Sequence, residues 1–412
     1  MADRPTDAPA GICAGLTGKP LPAGPVSLIW VPMIYADYNA TAPLRPEARE
    51  AMLAALELGA NPSSVHGPGR AARKAVERAR EQVGGAIGSR AEDVTFTSGG
   101  TEANALALHG AVAALDGEAT LLVSALEHEA VTQNAGIAGV PVETVYAGGD
   151  GCISLQSLED ILKGWDRAKK GTPVLALMLA NNETGVIQPV AEAAAMVREA
   201  GGLTHCDGVQ GLGKIAVPVA LLGIDYLALS AHKAGGPQGV GALWHRPGAP
   251  LKPVLLGGGQ ERSLRSGTEN VAGIAGFGAA AEASVRDLKS YQALGVHRDA
   301  MEARLKSEAG ITVMGEGAAR LAGTSCFAIE GFRAETQVMA MDLEGIAVSS
   351  GAACSSGKVR RSLVLGAMGV ADALADCAIR TSFGWSTKAE DFPAVAEGWL
   401  KAARRTILKE SA

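Results

Sequence analysis

Between residues 94 and 246, short apolar runs alternate with stretches that have the composition of helices. The helical stretches include residues 101–114 and 190–200, and the apolar runs have the length of buried β-strands. This alternation predicts an α/β fold in which helices cover both faces of a mostly parallel, seven-stranded sheet. Ligands of such sheets bind beyond the carboxyl ends of the strands, so the residues that follow each run are the functional candidates. The seven runs are residues 94–97, 120–125, 142–146, 174–180, 203–206, 226–230 and 241–245.

The remaining sequence predicts a division into a large and a small domain. Residues 46–267 form the predicted large domain, which begins with a helix that has Pro46 in its first turn. Residues 31–45 and 268–412 combine helical patterns with shorter strands, and we expect them to form a small α+β domain. Residues 1–30 are rich in Ala, Pro and Gly and are expected to form a flexible N-terminal extension.

The composition argues against several classes of protein. Of the 412 residues, 37 are Lys or Arg and 43 are Asp or Glu, so the net charge of −6 leaves no basic surplus for nucleic acid. No apolar run approaches the roughly 18 residues that a membrane span needs. None of the six cysteines forms a C-x-x-C pair, which favours a reducing compartment. We therefore expect a cytoplasmic protein that binds neither membranes nor nucleic acid and has no resident metal ion.

A lysine and an aspartate follow two of the predicted strands. Lys233 comes just after the run 226–230, and an amine that burial keeps partly neutral can react with an aldehyde there. Asp207 follows the run 203–206, where a carboxylate can pair with the protonated ring nitrogen of pyridoxal phosphate. Taken alone, Lys233 is better explained as a surface lysine at a strand end, and Asp207 also fits a helix N-cap. Because one strand–helix–strand unit separates them, the pair indicates a pyridoxal phosphate site at one edge of the sheet.

Two further segments follow strands at the same edge. Residues 97–102 open a helix, so their backbone N–H groups and the Thr101 hydroxyl can cradle a phosphate. The same residues also fit ordinary helix capping, with Ser98 as the N-cap. His128 follows the run 120–125, where an imidazole can stack on a flat ring and move protons. A lone histidine is more often structural, so both interpretations stay open here.

Three more side chains have chemistry that suits an active site. Asn181 follows the run 174–180, where its amide can hold a carboxylate or form part of a turn. Arg380 lies in a strand-like piece, and its guanidinium suits an α-carboxylate or a surface salt bridge. Cys354 stands in a loop of Ser and Gly with a lysine and two arginines nearby, which favours a reactive thiolate. Most single cysteines are inert core residues, so that alternative also remains.

Taken in order, these motifs resemble those of the cysteine desulfurases of the NifS/IscS branch. That branch belongs to the class V aminotransferase-like enzymes, which use pyridoxal phosphate. The resemblance runs from about residue 34 to 400, and its motifs are specific jointly although no single one is. The matching segments are residues 35–43, 61–66, 97–102, 127–128, 181–185, 207 with 210, 230–233, 257–261, 265–268 and 349–357.

The resemblance implies a role for each residue near the cofactor ring. Lys233 would bind pyridoxal phosphate covalently, and His128 would stack on the ring and share proton transfer with Lys233. Asp207 would pair with the ring nitrogen, and Gln210 with the ring hydroxyl oxygen. Cys354 would take sulfur from the substrate.

The resemblance also implies a phosphate site, a substrate site and a homodimer. One residue of the phosphate site, Thr268, would reach in from a second subunit, so the active sites would be shared between subunits. The other phosphate ligands would be Gly100, Thr101, Ser230 and His232. The substrate ligands would be Asn39, Asn181 and Arg380, with Asn181 also touching the cofactor.

The implied reaction converts L-cysteine to L-alanine and leaves a persulfide on Cys354. A sulfur-acceptor or iron–sulfur scaffold protein would collect that sulfur. The alternative is a selenocysteine lyase or an aminotransferase on the same fold, and an aminotransferase does not need Cys354. The chain departs from the family pattern at Ala36, at Gly100 and at the Gly208–Val209 pair, and none of these departures removes a functional group.

Overall fold

The computed structural model describes residues 33–350 and 361–406, so Cys354 and the expected N-terminal extension lie outside the described residues. The strands within the described ranges are β1 (Ile34–Tyr35), β2 (Val94–Thr97), β3 (Ala119–Ser124), β4 (Val142–Val145), β5 (Thr172–Met178), β6 (Leu203–Asp207), β7 (Tyr226–Ser230), β8 (Gly241–His245), β9 (Thr312–Val313), β10 (Thr324–Ala328), β11 (Ile346–Ala347), β12 (Ser349–Ser350) and β13 (Ile379–Ser382).

The α-helices within the same ranges are α1 (Pro46–Leu56), α2 (Gly67–Ala86), α3 (Gly100–Ala114), α4 (Glu129–Gly136), α5 (Leu155–Leu162), α6 (Arg167–Lys170), α7 (Val190–Glu199), α8 (Val219–Leu222), α9 (Val271–Arg286), α10 (Leu288–Ala309), α11 (Ala334–Leu343), α12 (Leu363–Ala367), α13 (Asp372–Ala375) and α14 (Asp391–Thr406). Short 3₁₀ turns lie at Ala91–Asp93, Ala231–Lys233 and Glu261–Ser263.

The predicted parallel sheet is present as a seven-stranded sheet of the described chain. Its strand order is β2-β8-β7-β6-β5-β3-β4, and β8 runs antiparallel to both of its neighbours. The pairs β3–β4, β3–β5, β5–β6 and β6–β7 are parallel. Each of the seven predicted runs corresponds to one of these strands, with ends that differ by at most two residues. The carboxyl ends of β2, β3, β5, β6 and β7 therefore lie along one edge of the sheet.

The sheet is buried on both faces, as its continuous apolar runs predict. Every residue of β3 and β5 is buried. Along β5, Val174 and Ala176 pack into one apolar cluster, and Leu175 and Leu177 pack into another on the opposite face. Because side chains alternate between the faces of a strand, two helical layers can bury one run completely.

The second part of the structure is built on shorter strands. The order β12-β13-β10-β9 forms an antiparallel sheet, and β1 pairs with β11 in parallel. These strands pack with α10, α11 and α14 around Trp399, whose indole N–H donates to the side-chain oxygen of Gln337 at 2.7 Å. The small sheet thus has a core of its own, in which aromatic side chains supply much of the buried area.

Two expectations about the organisation of the chain can be compared with the structure. Helix α1 begins at Pro46 as predicted, and it ends at Leu56, three residues before Gly59, which has a φ of 53°. The chain from Ile34 onward forms one compact unit, so a domain boundary at residues 45/46 and 267/268 stays a prediction. Among the described helices, none has the length and apolar character that a membrane crossing requires.

Candidate active site

A cavity of about 430 Å³ opens at the carboxyl edge of the parallel strands. One side of it, here called the sheet wall, is formed by residues that follow the strands of the large sheet. The opposite side, here called the far wall, comes from loops and from the small sheet. The sheet wall comprises Gly100, Thr101, Asn104, His128, Asp207, Val209, Gln210, Ser230, His232 and Lys233. The far wall comprises Asn39, Ala40, Asn182, Ser349 and Arg380.

Lys233 ends the short 3₁₀ turn that follows β7 and reaches into the cavity. Its Nζ donates hydrogen bonds to the backbone oxygens of Asn39, at 2.6 Å, and Ala40, at 2.7 Å. Burial and, to a lesser extent, the Arg380 cation lower the pKa of Lys233 to about 8, against the opposing effect of the Asp37 and Asp207 carboxylates. An appreciable fraction of this amine is therefore neutral near pH 8, as attack on an aldehyde requires.

Asp207 is the last residue of β6, and its carboxylate lines the cavity. The carboxylate accepts hydrogen bonds from the backbone N–H of Val209 at 3.0 Å and from Nδ2 of Asn104 at 2.8 Å. Burial raises the pKa of Asp207, although these hydrogen bonds and the nearby His128 and Lys233 oppose the rise. A cation beside this carboxylate would relieve the cost of its burial. The alternative role as a helix N-cap is not seen, because the next helix begins only at Val219.

Asn104, which also lines the cavity, and His205, which is buried behind it, support Asp207. Oδ1 of Asn104 lies 2.8 Å from Nε2 of His205, while Nδ2 of the same amide donates to Asp207. Burial lowers the pKa of His205 to about 3, so its ring is neutral and Nε2–H donates to Asn104. Asn104 is not among the site residues that the sequence predicts. The available signal was a polar residue one helical turn after the glycine and threonine at 100 and 101, inside an apolar helix.

The amino end of α3 forms the part of the sheet wall that is predicted to hold phosphate. The N-cap is Gly99 rather than Ser98, and glycine has no side chain with which to cap the first-turn N–H groups. Glu102 instead accepts a hydrogen bond from the backbone N–H of Ser98 at 2.8 Å. A recess of about 490 Å³ adjoins the cavity here, and no acidic residue is among the described residues that line it. The recess is lined by Ala40, Thr41, Ser98, Gly99, Gly100, Thr101, Ser230, His232, Gln238 and Gly239.

Gly100 allows α3 and the loop after β6 to lie close together. A Cβ atom on residue 100 would lie 2.6 Å from Cγ2 of Val209 and 3.4 Å from Cβ of Ser230. Two of the departures from the family pattern, at residues 100 and 209, therefore face each other. The absence of a side chain at position 100 leaves room for the valine.

His128 combines the two roles that its sequence context left open. It is the N-cap of α4, because its Nδ1 accepts a hydrogen bond from the backbone N–H of Ala130 at 3.0 Å. The ring also lines the cavity. With Nδ1 acting as the acceptor, the proton of the neutral ring is on Nε2. The cap thus fixes both the tautomer and the orientation of the imidazole.

Arg380 provides the positive charge of the far wall. It lies on β13, and its Nη2 pairs with Oδ1 of Asp37 at 2.6 Å, while Nη1 donates to the backbone oxygen of Asn182 at 2.9 Å. Its buried Nε has no hydrogen-bond partner among the residues that the structure describes. Asn39 lies beside it and donates through Nδ2 to Asn182 and Thr324. The guanidinium is thus held in place and retains a donor for a further acceptor.

Two predicted site residues do not line the cavity in this chain. The side chain of Asn181 is buried and occupied within its own turn, since Oδ1 accepts from the N–H groups of Glu183 and Thr184. Its neighbour Asn182 lines the cavity instead. Thr268 is exposed and borders a separate recess. Their predicted contacts with substrate and cofactor stay predictions.

Described residues on both sides of the range 351–360, which contains Cys354, lie at or near the cavity. Before it, Ser349 lines the far wall. After it, the Ser362 hydroxyl donates to the Glu183 carboxylate at 2.6 Å, next to Asn182 of the far wall. Burial raises the pKa of Glu183 to about 7.

The sequence also matches known proteins over most of its length. Residues 34–395 match the family described as aminotransferase class-V. A cysteine desulfurase of Cereibacter sphaeroides is 42% identical over 368 residues, which are 87% of this chain and 92% of that protein. The cysteine desulfurase IscS of Dictyoglomus turgidum is 38% identical, with 87% of this chain and 91% of that protein covered. The X-ray structure of a NifS-like protein from Rickettsia africae has a TM-score of 0.81 at 32% identity, covering 90% of this chain and 99% of that one.

The fold, the position of the cavity and these matches agree. The chain belongs to the class V aminotransferase family and, within that family, to the cysteine desulfurases of the NifS/IscS type. The family and the α/β fold that the sequence motifs predicted are confirmed.

Proposed function

We propose that the cavity binds pyridoxal phosphate and L-cysteine, and that the chain transfers sulfur from L-cysteine to Cys354. Family membership supports the cofactor, because class V enzymes use pyridoxal phosphate, which supplies an electron sink when bound. The names of the relatives support the substrate.

The residues of the sheet wall fit this cofactor in charge and in shape. Lys233 offers an amine whose lowered pKa leaves a reactive neutral fraction, and Asp207 offers a buried carboxylate for the ring nitrogen. The recess at the amino end of α3 offers N–H groups and hydroxyls, and no acid is among the described residues that line it, which suits a phosphate. Gln210 would bind the ring hydroxyl oxygen, and His128 would stack on the ring.

The far wall fits the carboxylate of an amino acid. Arg380 places a guanidinium at the lining of the cavity, where a charge-assisted hydrogen bond to a carboxylate can form. Asn39 lies on the same wall as a second contact. With the substrate held in this way, Lys233 and His128 would move protons at the α- and β-carbons.

Cys354 completes the proposed reaction as the sulfur acceptor. Its thiolate would attack the sulfur of L-cysteine, so that an S–S bond forms while the Cβ–S bond breaks. The electron pair of the broken bond and one proton stay with the carbon fragment, which leaves as L-alanine. The enzyme is left with a persulfide on Cys354, and no external oxidant or reductant is consumed.

Three further parts of the proposal concern partners and location. The active site would be shared in a homodimer, in which Thr268 of one subunit contacts the phosphate bound by the other. A sulfur-acceptor or iron–sulfur scaffold protein would collect the persulfide sulfur. The reaction and the transfer of its sulfur to the acceptor would take place in the cytoplasm.

The single observation that carries the proposal is that Lys233, Asp207, Gln210 and His128 meet in one cavity. The test is to incubate purified protein with pyridoxal phosphate and L-cysteine and to measure alanine and persulfide. We expect Cys354→Ser to lose both products, while Cys152→Ser, a half-buried cysteine outside the cavity, retains them. If Cys354→Ser forms alanine and persulfide as fast as the wild type, the sulfur-acceptor assignment is wrong.

A further inference from the structure

A second buried lysine lies behind the cavity. Lys214, in the turn that follows β6, is 5% exposed and does not line the cavity. Its Nζ donates to Oδ1 of Asn39 at 2.7 Å and to Oε1 of Gln210. Lysine is rarely buried without a compensating role, because its charged form loses hydration. The reaction proposed above makes no use of this amine.

The two acceptors of Lys214 belong to opposite walls of the cavity. Gln210 is on the sheet wall, and its Nε2 donates to the backbone oxygen of Asn39 at 2.9 Å. That same oxygen accepts a hydrogen bond from Nζ of Lys233. Lys214 therefore belongs to a closed network that joins the loop after β6, the loop around residue 39 and the reactive amine.

The network determines which atom of Gln210 can face a ligand. Because Oε1 is occupied by the Lys214 amine, the group left to face the cavity is Nε2, which has a second N–H. Without Lys214, rotating the amide by a half turn would exchange its donor and acceptor. A bound acceptor atom, such as the ring hydroxyl oxygen of the cofactor, requires the donor.

We propose that Lys214 is a positioning residue that holds the Gln210 side chain with its N–H toward the cofactor. This inference rests on the proposed function. Lys214 acts through Gln210 and touches neither cofactor nor substrate, so it is not a catalytic residue.

The charged groups near Lys214 favour the neutral form of its amine, which suits a role in holding other side chains. Burial lowers the pKa of Lys214 well below its usual value, the Lys233 and Arg380 cations lower it further, and only the Asp37 carboxylate opposes them. A neutral amine has two N–H groups, which match the two oxygen acceptors. The lowered pKa of Lys214 thus favours a network that holds the amide without a second positive charge beside Lys233.

The test measures cofactor binding rather than turnover. Wild-type protein, Lys214→Met, Gln210→Leu and the double variant are titrated with pyridoxal phosphate, and the dissociation constant and visible absorption spectrum are recorded from pH 6 to 9. We expect Lys214→Met to weaken binding about tenfold and to change the pH midpoint of the spectrum, because it releases a buried hydrogen-bonding group. Lys252→Met, an exposed lysine paired with Asp116, is the matched control and should behave as the wild type.

The double variant tests whether the effect passes through Gln210. We expect it to bind the cofactor almost as well as Gln210→Leu alone, since coupled residues are not additive. Effects that multiply to about a hundredfold would show that Lys214 acts independently, and a Lys214→Met protein with wild-type spectrum and affinity would overturn the inference.

One further variant, Gln210→Glu, tests the inference if Lys214→Met does not fold. Gln210→Glu keeps an oxygen for Lys214 but has no N–H, so we expect the same spectral change and weaker binding. If Gln210→Glu binds the cofactor as the wild type does, the inference about Lys214 is wrong, whereas the proposed function is unaffected. Failure of the wild-type protein to bind pyridoxal phosphate would overturn the proposed function, and this inference with it.

Discussion

The two walls of the cavity are built in different ways. The sheet wall is made of residues that directly follow buried parallel strands, so its geometry is fixed by the backbone of the large sheet. The far wall is made of loops and of strands two to four residues long, and it is held by side-chain contacts such as the ion pair between Arg380 and Asp37. The proposed reactive groups are thus placed by the frame of the large sheet, whereas the proposed substrate contacts are placed by polar networks.

The largest expected effect is on the sheet wall. Replacing Lys233 with alanine removes the proposed covalent attachment and one proton-transfer group, so alanine formation should fall by at least about 10²–10⁴-fold. The loss should be in kcat, measured with saturating pyridoxal phosphate and L-cysteine. Unchanged turnover in a Lys233→Ala protein would show that the sheet wall is not the reactive side.

The pH dependence of cofactor attachment tests the lowered pKa of Lys233. Only the neutral amine reacts, so its fraction rises about tenfold per pH unit below the pKa and levels off above it. With a pKa of about 8, the rate of cofactor capture by the apoprotein should rise steeply from pH 6 to 8 and then level off. The rate is followed by stopped-flow absorbance. A rate that still rises tenfold between pH 9 and 10 would indicate an ordinary exposed lysine.

On the far wall, a substitution should affect binding more than chemistry. Arg380→Lys keeps the charge but loses the planar fork that contacts Asp37 and Asn182. A lost charge-assisted hydrogen bond costs about 1.5–3 kcal/mol, so the KM for L-cysteine should rise roughly 10- to 100-fold with a smaller change in kcat. Arg405→Lys, at an exposed ion pair, serves as the control. A fall in kcat at unchanged KM would place Arg380 in the chemical step instead.

The smallest expected effect concerns packing within the sheet wall. Gly100→Ala would bring a methyl group against Val209 and cost about 1–3 kcal/mol of stability. Combining it with Val209→Ala should restore most of the loss, as measured by chemical unfolding of the apoprotein. If the double variant is no more stable than Gly100→Ala alone, the contact between residues 100 and 209 is not the cause.

The sequence predicts most of the sheet wall because most of its residues have a local signal. A polar residue that directly follows an apolar run of strand length lies at the sheet edge, which is how Asp207, Lys233 and His128 were found. Asn104 and Lys214 carry no such signal, because each reaches the site from within a helix or a turn. Their importance depends on hydrogen bonds to residues that are distant in the sequence.

The far wall is harder to predict for a physical reason. Of the adjacent residues Asn181 and Asn182, the first uses its side chain to bind the N–H groups of its own turn, and the second lines the cavity. Both residues suit a turn equally in the sequence, so only the folded backbone distinguishes them. Strands as short as β12 likewise have too few residues to show a period.

The most direct test of the account is to find which lysine bears the cofactor. Of the lysines that the structure describes, Lys233 lines the cavity, whereas Lys214 is buried and hydrogen-bonded to Gln210. The loaded protein is reduced with borohydride, digested and analysed by mass spectrometry. The account predicts a pyridoxyl group on the peptide that contains Lys233. A label on Lys214, or no label on either lysine, would contradict it.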